Sequence, residues 1–296
     1  MHIVIAGASG LIGRQLSATL RGAGHEVVTL VRRKPSSPTE IQWDPAAHSL
    51  DPAALASADT VINLSGAGPG DRPWTRRRIN ELVTSRLSAT GTLTDAMARL
   101  DLPPRTFISQ SGSGYYGDAG RAQLQETASP GSGIFARLCF EWEAAAHEAP
   151  AGVRVVSTRT GIVLGRSGGA MGRLLPLLRL GVGGPLGNGR QYWPWITLPD
   201  VSAAFLFLAE SEIRGPVNVC APEQADMNTL IAALASALHR PAFFRVPAPV
   251  LRLVMGKLAD ELLLPSQRME PAVLKAAGFQ WQHPSLDQAA AWVAGR

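Results

Sequence analysis

The chain has 296 residues, of which 46% are hydrophobic and 17% are charged. This length is enough to bury one large core, or one core with a smaller lobe packed on it. No apolar run reaches the roughly 18 residues that a membrane-spanning helix needs. The chain starts on a short strand-like run rather than on a secretory signal. We therefore expect a cytoplasmic protein that does not act at a membrane.

The net charge is +5, but the basic residues do not form a nucleic-acid-binding pattern. Only three of the 28 basic residues are lysines, and the arginines are dispersed. We therefore expect no nucleic-acid partner. We interpret the basic surface as suited to an anionic cofactor. The two cysteines, Cys139 and Cys220, lie too far apart for a disulfide framework or a metal knuckle. The six histidines show no metal-ligand spacing, and we predict no metal site.

Apolar runs of strand length alternate with helical patterns through the first half of the chain. Strands are predicted at residues 2–6, 26–31, 59–64, 106–109 and 153–158. After the first strand, Ile12, Leu16 and Leu20 recur at four-residue spacing, which predicts one apolar face of a helix. Alternating strands and helices predict a parallel sheet with right-handed crossovers, an α/β fold of the doubly wound class.

The composition of the sequence changes after Leu164. Residues 165–190 are rich in glycine, and a helix at 201–209 and a strand at 217–219 then return to the sheet. We predict a doubly wound, Rossmann-type domain at residues 1–165, to which 197–220 return. Residues 166–296 are predicted to form a smaller C-terminal substrate lobe.

A glycine-rich turn joins the first strand to the first helix. It comprises Gly7, Ala8, Ser9, Gly10, Leu11, Ile12 and Gly13, with the spacing G-x-x-G-x-x-G. Gly7 permits a tight turn, Gly10 allows the backbone to approach a pyrophosphate, and Gly13 allows the helix to pack closely on the strand. The N–H groups at the start of the helix then bind the phosphates. This context predicts a dinucleotide site rather than a purely structural turn.

The end of the second strand distinguishes the two nicotinamide cofactors. An acidic residue at this position commonly binds the 2′-hydroxyl of NAD, whereas an arginine meets the 2′-phosphate of NADP. Here the strand ends in Arg32 and Arg33, and no acid follows directly. We predict NADP (NADPH) as the cofactor, with Arg32 on the phosphate and Arg33 or Ser9 assisting. The alternative is that both arginines are solvated surface residues.

Several further motifs resemble one protein superfamily along nearly the whole chain. They include Trp43-Asp44-Pro45, Val61-Ile62-Asn63-Leu64-Ser65-Gly66, Gly114-Tyr115-Tyr116-Gly117, Trp142-Glu143-Ala144-Ala145 and Arg159-Thr160-Gly161. The chain resembles the atypical, extended branch of the short-chain dehydrogenases/reductases, and within it the nucleoside-diphosphate-sugar epimerase-like subgroup. The tail is similar to that subgroup's short C-terminal domain, at Val246-Pro247-Ala248-Pro249 and Leu274-Lys275-Ala276-Ala277-Gly278-Phe279.

The resemblance implies roles for individual residues. It implies that the cofactor cleft is lined by Asn63, Leu64, Ser65, Gly66, Arg86, Thr160 and Gly161. Arg86 and Arg190 are alternatively candidates to hold an anionic group of the substrate. Ser111 matches the active-site serine, with Ser113 as an alternative, and Tyr115 and Tyr116 follow on the same loop.

The superfamily's usual catalytic pair is missing. That chemistry needs a tyrosine followed four residues later by a lysine, because the lysine lowers the pKa of the tyrosine that moves the proton. Phe135 and Cys139 occupy the two positions. No lysine lies between Lys34 and Lys257, so no tyrosine of the chain has a lysine four residues on.

The sequence therefore predicts an NADP(H)-binding, epimerase-like oxidoreductase of atypical mechanism. Its predicted catalytic residues are Ser111, Tyr115 and Tyr116, and its partner would be a small-molecule substrate, for which a compound resembling a sugar nucleotide is one candidate. The alternative is a non-catalytic NADP(H)-binding redox sensor or partner-binding module, and a third interpretation is an interaction protein without a cofactor. The sequence does not determine the oligomeric state.

Overall fold

A computed structural model describes residues 1–70, 72 and 74–296. The strands are β1 His2–Ala6, β2 Glu26–Val31, β3 Glu40–Gln42, β4 Thr60–Asn63, β5 Thr106–Gly112, β6 Gln123–Leu124, β7 Arg154–Thr160, β8 Ile162–Leu164, β9 Trp195–Thr197, β10 Gly215–Val219 and β11 Arg268–Met269. The helices are α1 Leu11–Gly22, α2 Arg76–Ala98, α3 Ile134–His147, α4 Met171–Arg179, α5 Leu198–Glu210, α6 Met227–Ala237, α7 Ala248–Met255, α8 Ala272–Ala276 and α9 Leu286–Ala294. A π-helical turn covers Ala259–Leu263.

Seven parallel strands form the main sheet, in the order β3-β2-β1-β4-β5-β7-β10. The chain first builds outward from β1 to β3 and then returns to place β4 on the other side of β1. The strand order therefore reverses between β1 and β4. In open α/β sheets, ligands bind outside the carboxyl ends of the strands at such a reversal.

The core lies in two layers because successive strand residues point to opposite faces. On one face Ile3 and Ile5 of β1 pack with Leu16 of α1 and Phe205 of α5. On the other face Val4 and Ala6 pack with residues of α2 that include Leu93 and Met97. Residues 3–6 of β1 are fully buried, which explains why this strand reads as an uninterrupted apolar run.

The later part of the chain has its own apolar cluster. β8 pairs with β9, and Trp193 and Trp195 pack there with Met171 of α4, Leu230 of α6 and Val293 of α9. The strand expected at residues 217–219 is β10, which pairs in parallel with β7 at the edge of the main sheet. Among the described residues, no helix combines the length and the apolar character needed to cross a membrane.

Several elements differ from the sequence prediction, and β3 and β5 are the two of these in the central part of the site. β3 has only three residues at the edge of the sheet, and a run of that length is too short to predict a strand from its side-chain pattern. β5 extends to Gly112 rather than ending at Ser109, because it stays paired with β7 as far as Thr160. Ser111 consequently lies within the strand and not in the loop after it.

Candidate functional site

The turn between β1 and α1 has a backbone that only glycine fits at two positions. Gly7 has a φ of +87°, and a Cβ there would lie 2.7 Å from the carbonyl carbon of Leu64. A Cβ on Gly13 would lie 2.4 Å from the carbonyl oxygen of Gly7. The turn is thus pressed against the loop after β4, and α1 is pressed against the turn. This close packing is the arrangement that the G-x-x-G-x-x-G spacing predicts.

The start of α1 offers backbone donors to an anion. Gly10 is the N-cap residue, and because it has no side chain it does not cover the first amides of the helix. These amides carry the positive end of the helix dipole, which favours phosphate groups. The Arg14 guanidinium donates a hydrogen bond to the Ser9 carbonyl, which places one more positive charge beside the turn.

A cleft of about 1500 Å³ opens in front of this turn. The predicted cofactor-contacting residues that line it are Gly7, Ala8, Ser9, Gly10, Arg32, Arg33, Leu64, Ser65 and Gly66. The arginines along it are Arg14, Arg21, Arg32, Arg33, Arg72 and Arg78, and the acids are Glu40, Asp44 and Glu81. Arginines outnumber acids, so the cleft suits a ligand with several negative charges. Of the remaining predicted residues, Leu11, Ile12, Gly13, Asn63, Arg86, Thr160 and Gly161 do not line it.

The two arginines after β2 have different surroundings. Arg33 makes a two-pronged hydrogen bond to Glu40, with its Nη1 2.8 Å from Oε2. Glu40 also accepts hydrogen bonds from the backbone N–H and the hydroxyl of Ser36. The hydrogen bond from Arg33 is the main reason why the pKa of Glu40 falls to about 2. The Arg32 side chain, in contrast, makes no hydrogen bond or ion pair to any residue that the structure describes, although it lines the cleft.

Asn63 shapes the loop after β4 from beneath. Its amide nitrogen donates to the Thr90 hydroxyl at 2.9 Å, and its amide oxygen accepts the N–H of Ser65 at 3.0 Å. Trp142 donates to the same Thr90 hydroxyl from α3. Asn63 is fully buried, so it positions residues 64–66 at the cleft and does not itself line the opening.

Ser111 belongs to a buried polar network. Its hydroxyl donates to the Glu143 carboxylate at 2.8 Å, and the residue is 2% exposed. Arg159 donates to both oxygens of the same carboxylate, from Nε at 2.9 Å and from Nη2 at 2.8 Å. Although burial disfavours the charged guanidinium, the hydrogen bond and the charge of Glu143 raise the pKa of Arg159 above its ordinary value. The ion pair connects α3 with β7, and the hydrogen bond from Ser111 adds β5 to the network.

The two tyrosines after β5 extend this network. The Tyr116 hydroxyl accepts a hydrogen bond from Arg159 Nη1 at 3.0 Å and donates to Asn218 Oδ1 at 2.7 Å. The guanidinium carbon of Arg159 lies 3.4 Å from the centre of the Tyr115 ring. Burial raises the pKa of Tyr115 and raises that of Tyr116 to about 12. Both hydroxyls therefore keep their protons at neutral pH.

Helix α3 has apolar residues at the two positions where the usual tyrosine and lysine would stand. Phe135 fills the space beside Gly114, where an added Cβ would lie 1.9 Å from the Phe135 ring. Cys139 is 1% exposed, and burial raises the pKa of its thiol to about 12, which excludes a reactive thiolate. The start of this helix is capped from far along the chain, because Glu261 accepts the N–H groups of Ile134 and Phe135 at 3.1 and 2.9 Å.

Thr160 and Gly161 stand at the end of β7. Thr160 is 6% exposed, and its hydroxyl donates to the Thr158 carbonyl at 3.3 Å. At Gly161 a Cβ would lie 2.6 Å from the Pro194 carbonyl oxygen, so the glycine lets the segment before β9 approach the strand end. Both residues are near the carboxyl edge of β7, beyond the lining of the cleft.

Sequence reasoning did not assign roles to three polar residues in this region: Glu143 and Asn218, which are buried, and Glu261, which is half-buried. Glu143 has a signal that could have identified it, because it follows Phe135 and Cys139 at four-residue intervals and so lies on the same face of α3. A carboxylate on an apolar helix face needs a buried partner. Asn218 and Glu261 contact residues 102 and 127 positions away, and no local pattern indicates those contacts.

Comparison with known proteins places this fold and turn in one family. The model described as "NAD dependent epimerase/dehydratase family" matches residues 3–220. Residues 246–293 match a domain of unknown function, DUF1731. Similar proteins include the Epimerase family protein Mb2239 of Mycobacterium bovis, 39% identical over 99% of this chain and 98% of that protein.

Solved structures agree with that assignment. The crystal structure of the human epimerase family protein SDR39U1 with NADPH is 34% identical and superposes with a TM-score of 0.93 over the whole of both chains. The nucleoside-diphosphate sugar epimerase from Corynebacterium glutamicum is 31% identical with a TM-score of 0.79, over all of this chain and 58% of that one. The chain therefore belongs to the NAD dependent epimerase/dehydratase family and carries the DUF1731 domain in its C-terminal part.

Proposed function

We propose that this chain binds NADP(H) at the carboxyl edge of its sheet and acts as an epimerase-like oxidoreductase. The observation that carries the proposal is the turn at residues 7–13, whose backbone leaves no room for side chains at Gly7 and Gly13 and faces a large cleft rich in arginine. Such a turn holds a pyrophosphate on the amides of α1. The human relative SDR39U1, whose structure was solved with NADPH, supports the choice of cofactor.

The residues present fit the parts of this cofactor. The amides around Gly10 would hold the pyrophosphate, and residues 64–66 would line the path of the dinucleotide beyond it. Arg32 would meet the 2′-phosphate, because its guanidinium is not engaged by the described residues, whereas Arg33 is committed to Glu40. When bound, NADP(H) supplies the donor or acceptor of a hydride. The chain's own residues bind and orient it and hold protons in place.

Titration calorimetry of two cofactors tests the proposal. The parental protein is expected to bind NADPH more tightly than NADH, since a charge-assisted hydrogen bond to phosphate contributes about 1.5–3 kcal/mol, or about 10- to 100-fold. Arg32→Ala should lose this preference by weakening NADPH while leaving NADH unchanged.

The matched control is Arg105→Ala, because Arg105 is an exposed arginine that precedes β5 at the opposite edge of the sheet. It should keep the parental preference. Absence of binding for both nucleotides would refute the cofactor site. Equal binding of both by the parental protein would refute the role of Arg32.

We further propose that Ser111, Tyr115 and Tyr116 act in the reaction, on a small substrate of the sugar-nucleotide class. The Ser111 hydroxyl donates to Glu143, so its oxygen remains an acceptor that can orient a substrate hydroxyl. The Tyr115 hydroxyl, which is protonated at neutral pH, would serve as a donor to the substrate. The single O–H of Tyr116 donates to Asn218, so Tyr116 would act by exchanging that hydrogen bond for one to the substrate. The Corynebacterium protein described as a nucleoside-diphosphate sugar epimerase supports this substrate class.

Free, buried Cys139 and Cys220 are in keeping with a reducing compartment such as the cytoplasm.

The catalytic proposal is tested with uridine-diphosphate sugars and NADPH or NADP⁺, by absorbance at 340 nm and by product analysis. Ser111→Ala should abolish turnover while NADPH binding stays within about two-fold of parental. A variant that turns over at the parental rate contradicts the role of Ser111. Tyr115→Phe and Tyr116→Phe identify which hydroxyl contributes.

A non-catalytic NADP(H)-binding sensor is the second candidate. It is favoured by the apolar surroundings of Phe135 and Cys139 and by the commitment of Ser111 and Tyr116 to Glu143, Arg159 and Asn218. A sensor must bind the reduced and oxidised cofactors differently, or change conformation between them. Equal affinity for NADPH and NADP⁺, with identical small-angle scattering profiles in the two complexes, would rule this function out.

A further inference from the structure

Exposed apolar side chains are concentrated in two segments of the C-terminal half of the chain. Among the residues that the structure describes, eleven large apolar side chains are exposed, and eight of them fall within residues 177–182 and 243–254. Leu253 is 87% exposed and Phe243 is 84% exposed, so these side chains project from the surface. The eight residues are called the apolar patch below: Leu177, Leu180, Val182, Phe243, Phe244, Val250, Leu253 and Val254.

The two segments that carry the apolar patch lie next to one another. A Cβ on Gly184 would lie 2.4 Å from the carbonyl oxygen of Phe244. Leu186 and Val246 form a parallel bridge, so the chain that follows α4 runs beside the chain that leads into α7. The exposed apolar residues therefore belong to adjacent elements and are not scattered over separate loops.

Helix α7 has an apolar side that no other element covers. Only Leu251 of its eight residues is buried. Val250, Leu253 and Val254 follow at positions i, i+3 and i+4, a spacing that forms an apolar stripe suited to packing on another helix. Nothing in residues 1–70, 72 and 74–296 covers this stripe, since its three side chains stay 46–87% exposed.

The apolar patch is larger than a monomer usually exposes. Its exposed fractions amount to about five fully exposed side chains, or about 800–1000 Å² at roughly 150–200 Å² each. The largest apolar patch of a typical monomer measures about 300–600 Å². A standard protein–protein interface buries about 800 Å² on each partner. The exposed apolar area is thus sufficient for one side of a stable dimer.

We propose that the apolar patch is the interface of a homodimer, in which α7 packs on α7 of a second copy about a two-fold axis. In such a contact each copy covers the apolar patch of the other, so both are removed from water together. None of the eight residues lines the cofactor cleft. Both cofactor sites consequently stay open in the dimer, and the inference does not depend on the proposed function.

The composition around the apolar patch favours a protein partner over a lipid surface. Protein interfaces are enriched in Phe and Arg and depleted of Lys, whereas membrane surfaces select Trp and Tyr. The apolar patch contains two phenylalanines and neither Trp nor Tyr. Residues 171–190 and 239–258 contain six arginines, one lysine and no acid. Since these like charges oppose the approach of two copies, salt should strengthen the dimer by screening them.

Sedimentation velocity of the full chain tests the interface. The parental protein should be a dimer at about 10 µM, which corresponds to a dissociation constant in the micromolar range or below. Leu253→Arg and Phe243→Arg should sediment as monomers with parental circular dichroism spectra, because they bring further like charges into the contact. Leu102→Arg is the matched control, since Leu102 is 83% exposed and lies outside the apolar patch, and it should stay dimeric.

A cysteine probe measures the same contact in the absence of added charge. Cys139 and Cys220 are buried, so Leu253→Cys provides a single exposed thiol. A short bismaleimide should convert most of this variant to a covalent dimer at about 10 µM, because residues near a two-fold axis meet their own copies. Leu102→Cys should remain largely unlinked under the same conditions.

Three results would overturn the proposal. One is a parental protein that stays monomeric up to about 100 µM, far above the concentration at which an interface of standard size associates. Cosedimentation of that monomer with phosphatidylserine vesicles, lost in Leu253→Arg, would assign the apolar patch to a lipid surface instead. Another is equal association of Leu253→Arg and Leu102→Arg. The third is a dimer that weakens as salt is raised, which would mean that ion pairs and not apolar contacts hold the copies together.

Discussion

The ion pair between Glu143 and Arg159 should be the polar contact whose loss destabilises the fold most. Glu143 accepts hydrogen bonds from Nε and Nη2 of Arg159 and from the Ser111 hydroxyl, and Arg159 is 3% exposed. In Glu143→Ala the guanidinium stays buried, because Tyr116 and the Glu126 carbonyl still hold it. An uncompensated buried charge of this kind costs about 3–5 kcal/mol. At this chain length that corresponds to about 2 °C in melting temperature per kcal/mol, so a fall of about 6–10 °C is expected.

The assay is urea unfolding followed by tryptophan fluorescence and circular dichroism, with a thermal melt of each variant. Glu141→Ala is the matched control, because Glu141 lies on the same helix but pairs with Arg137 at the surface, and it should change stability little. The double variant Glu143→Leu with Arg159→Met removes both charges and should recover much of the loss. A Glu143→Ala protein within 1 kcal/mol of parental would refute the reasoning, because it would mean that Arg159 finds water or another partner.

Three further predictions follow from individual contacts. Gly13→Ala should abolish NADPH binding in calorimetry and lower the melting temperature, because its Cβ would lie 2.4 Å from the Gly7 carbonyl oxygen. The control is Gly22→Ala, since no atom lies within 4 Å of a Cβ placed there. Glu261→Ala should destabilise the protein by about 0.5–2 kcal/mol in urea, because it uncaps α3, and an unchanged midpoint would contradict the cap. The pKa of Glu40 is about 2, below its usual value near 4.3, so its contribution to stability is present above pH 4.3 and is lost as the pH falls towards 2. NMR titration of the Glu40 carboxyl should locate that transition, and a midpoint near 4.3 would show that the hydrogen bonds from Arg33 and Ser36 do not form.

Local sequence signals predict the central features well. The apolar run at residues 3–6 and the glycines at 7, 10 and 13 indicate a buried strand and a tight turn, since the residues that carry each pattern are neighbours in sequence. The contact of Gly7 with Leu64 could not be predicted from that pattern. The edge strand β3 was missed because it has only three half-exposed or exposed residues, which are too few to form a recognisable periodic pattern.

The polar network and the helix cap could not be predicted in the same way. The partners of Ser111 come from α3 and β7, and they meet only because α3 packs beside those strands. The commitment of Arg33 to Glu40 likewise depends on the pairing of β2 with β3. The sequence analysis assigned Arg32 to the 2′-phosphate and Arg33 or Ser9 to assist it, but no local pattern indicated that Glu40 engages Arg33.

The cap that Glu261 places on α3 has a consequence for synthesis. The backbone N–H groups of Ile134 and Phe135 donate to the carboxylate of Glu261, which lies 127 and 126 residues further along the chain. A ribosome adding about 5–20 residues per second needs roughly 6–25 seconds to produce that segment. We therefore expect the first turn of α3 to lack this cap on the nascent chain until residue 261 has left the exit tunnel.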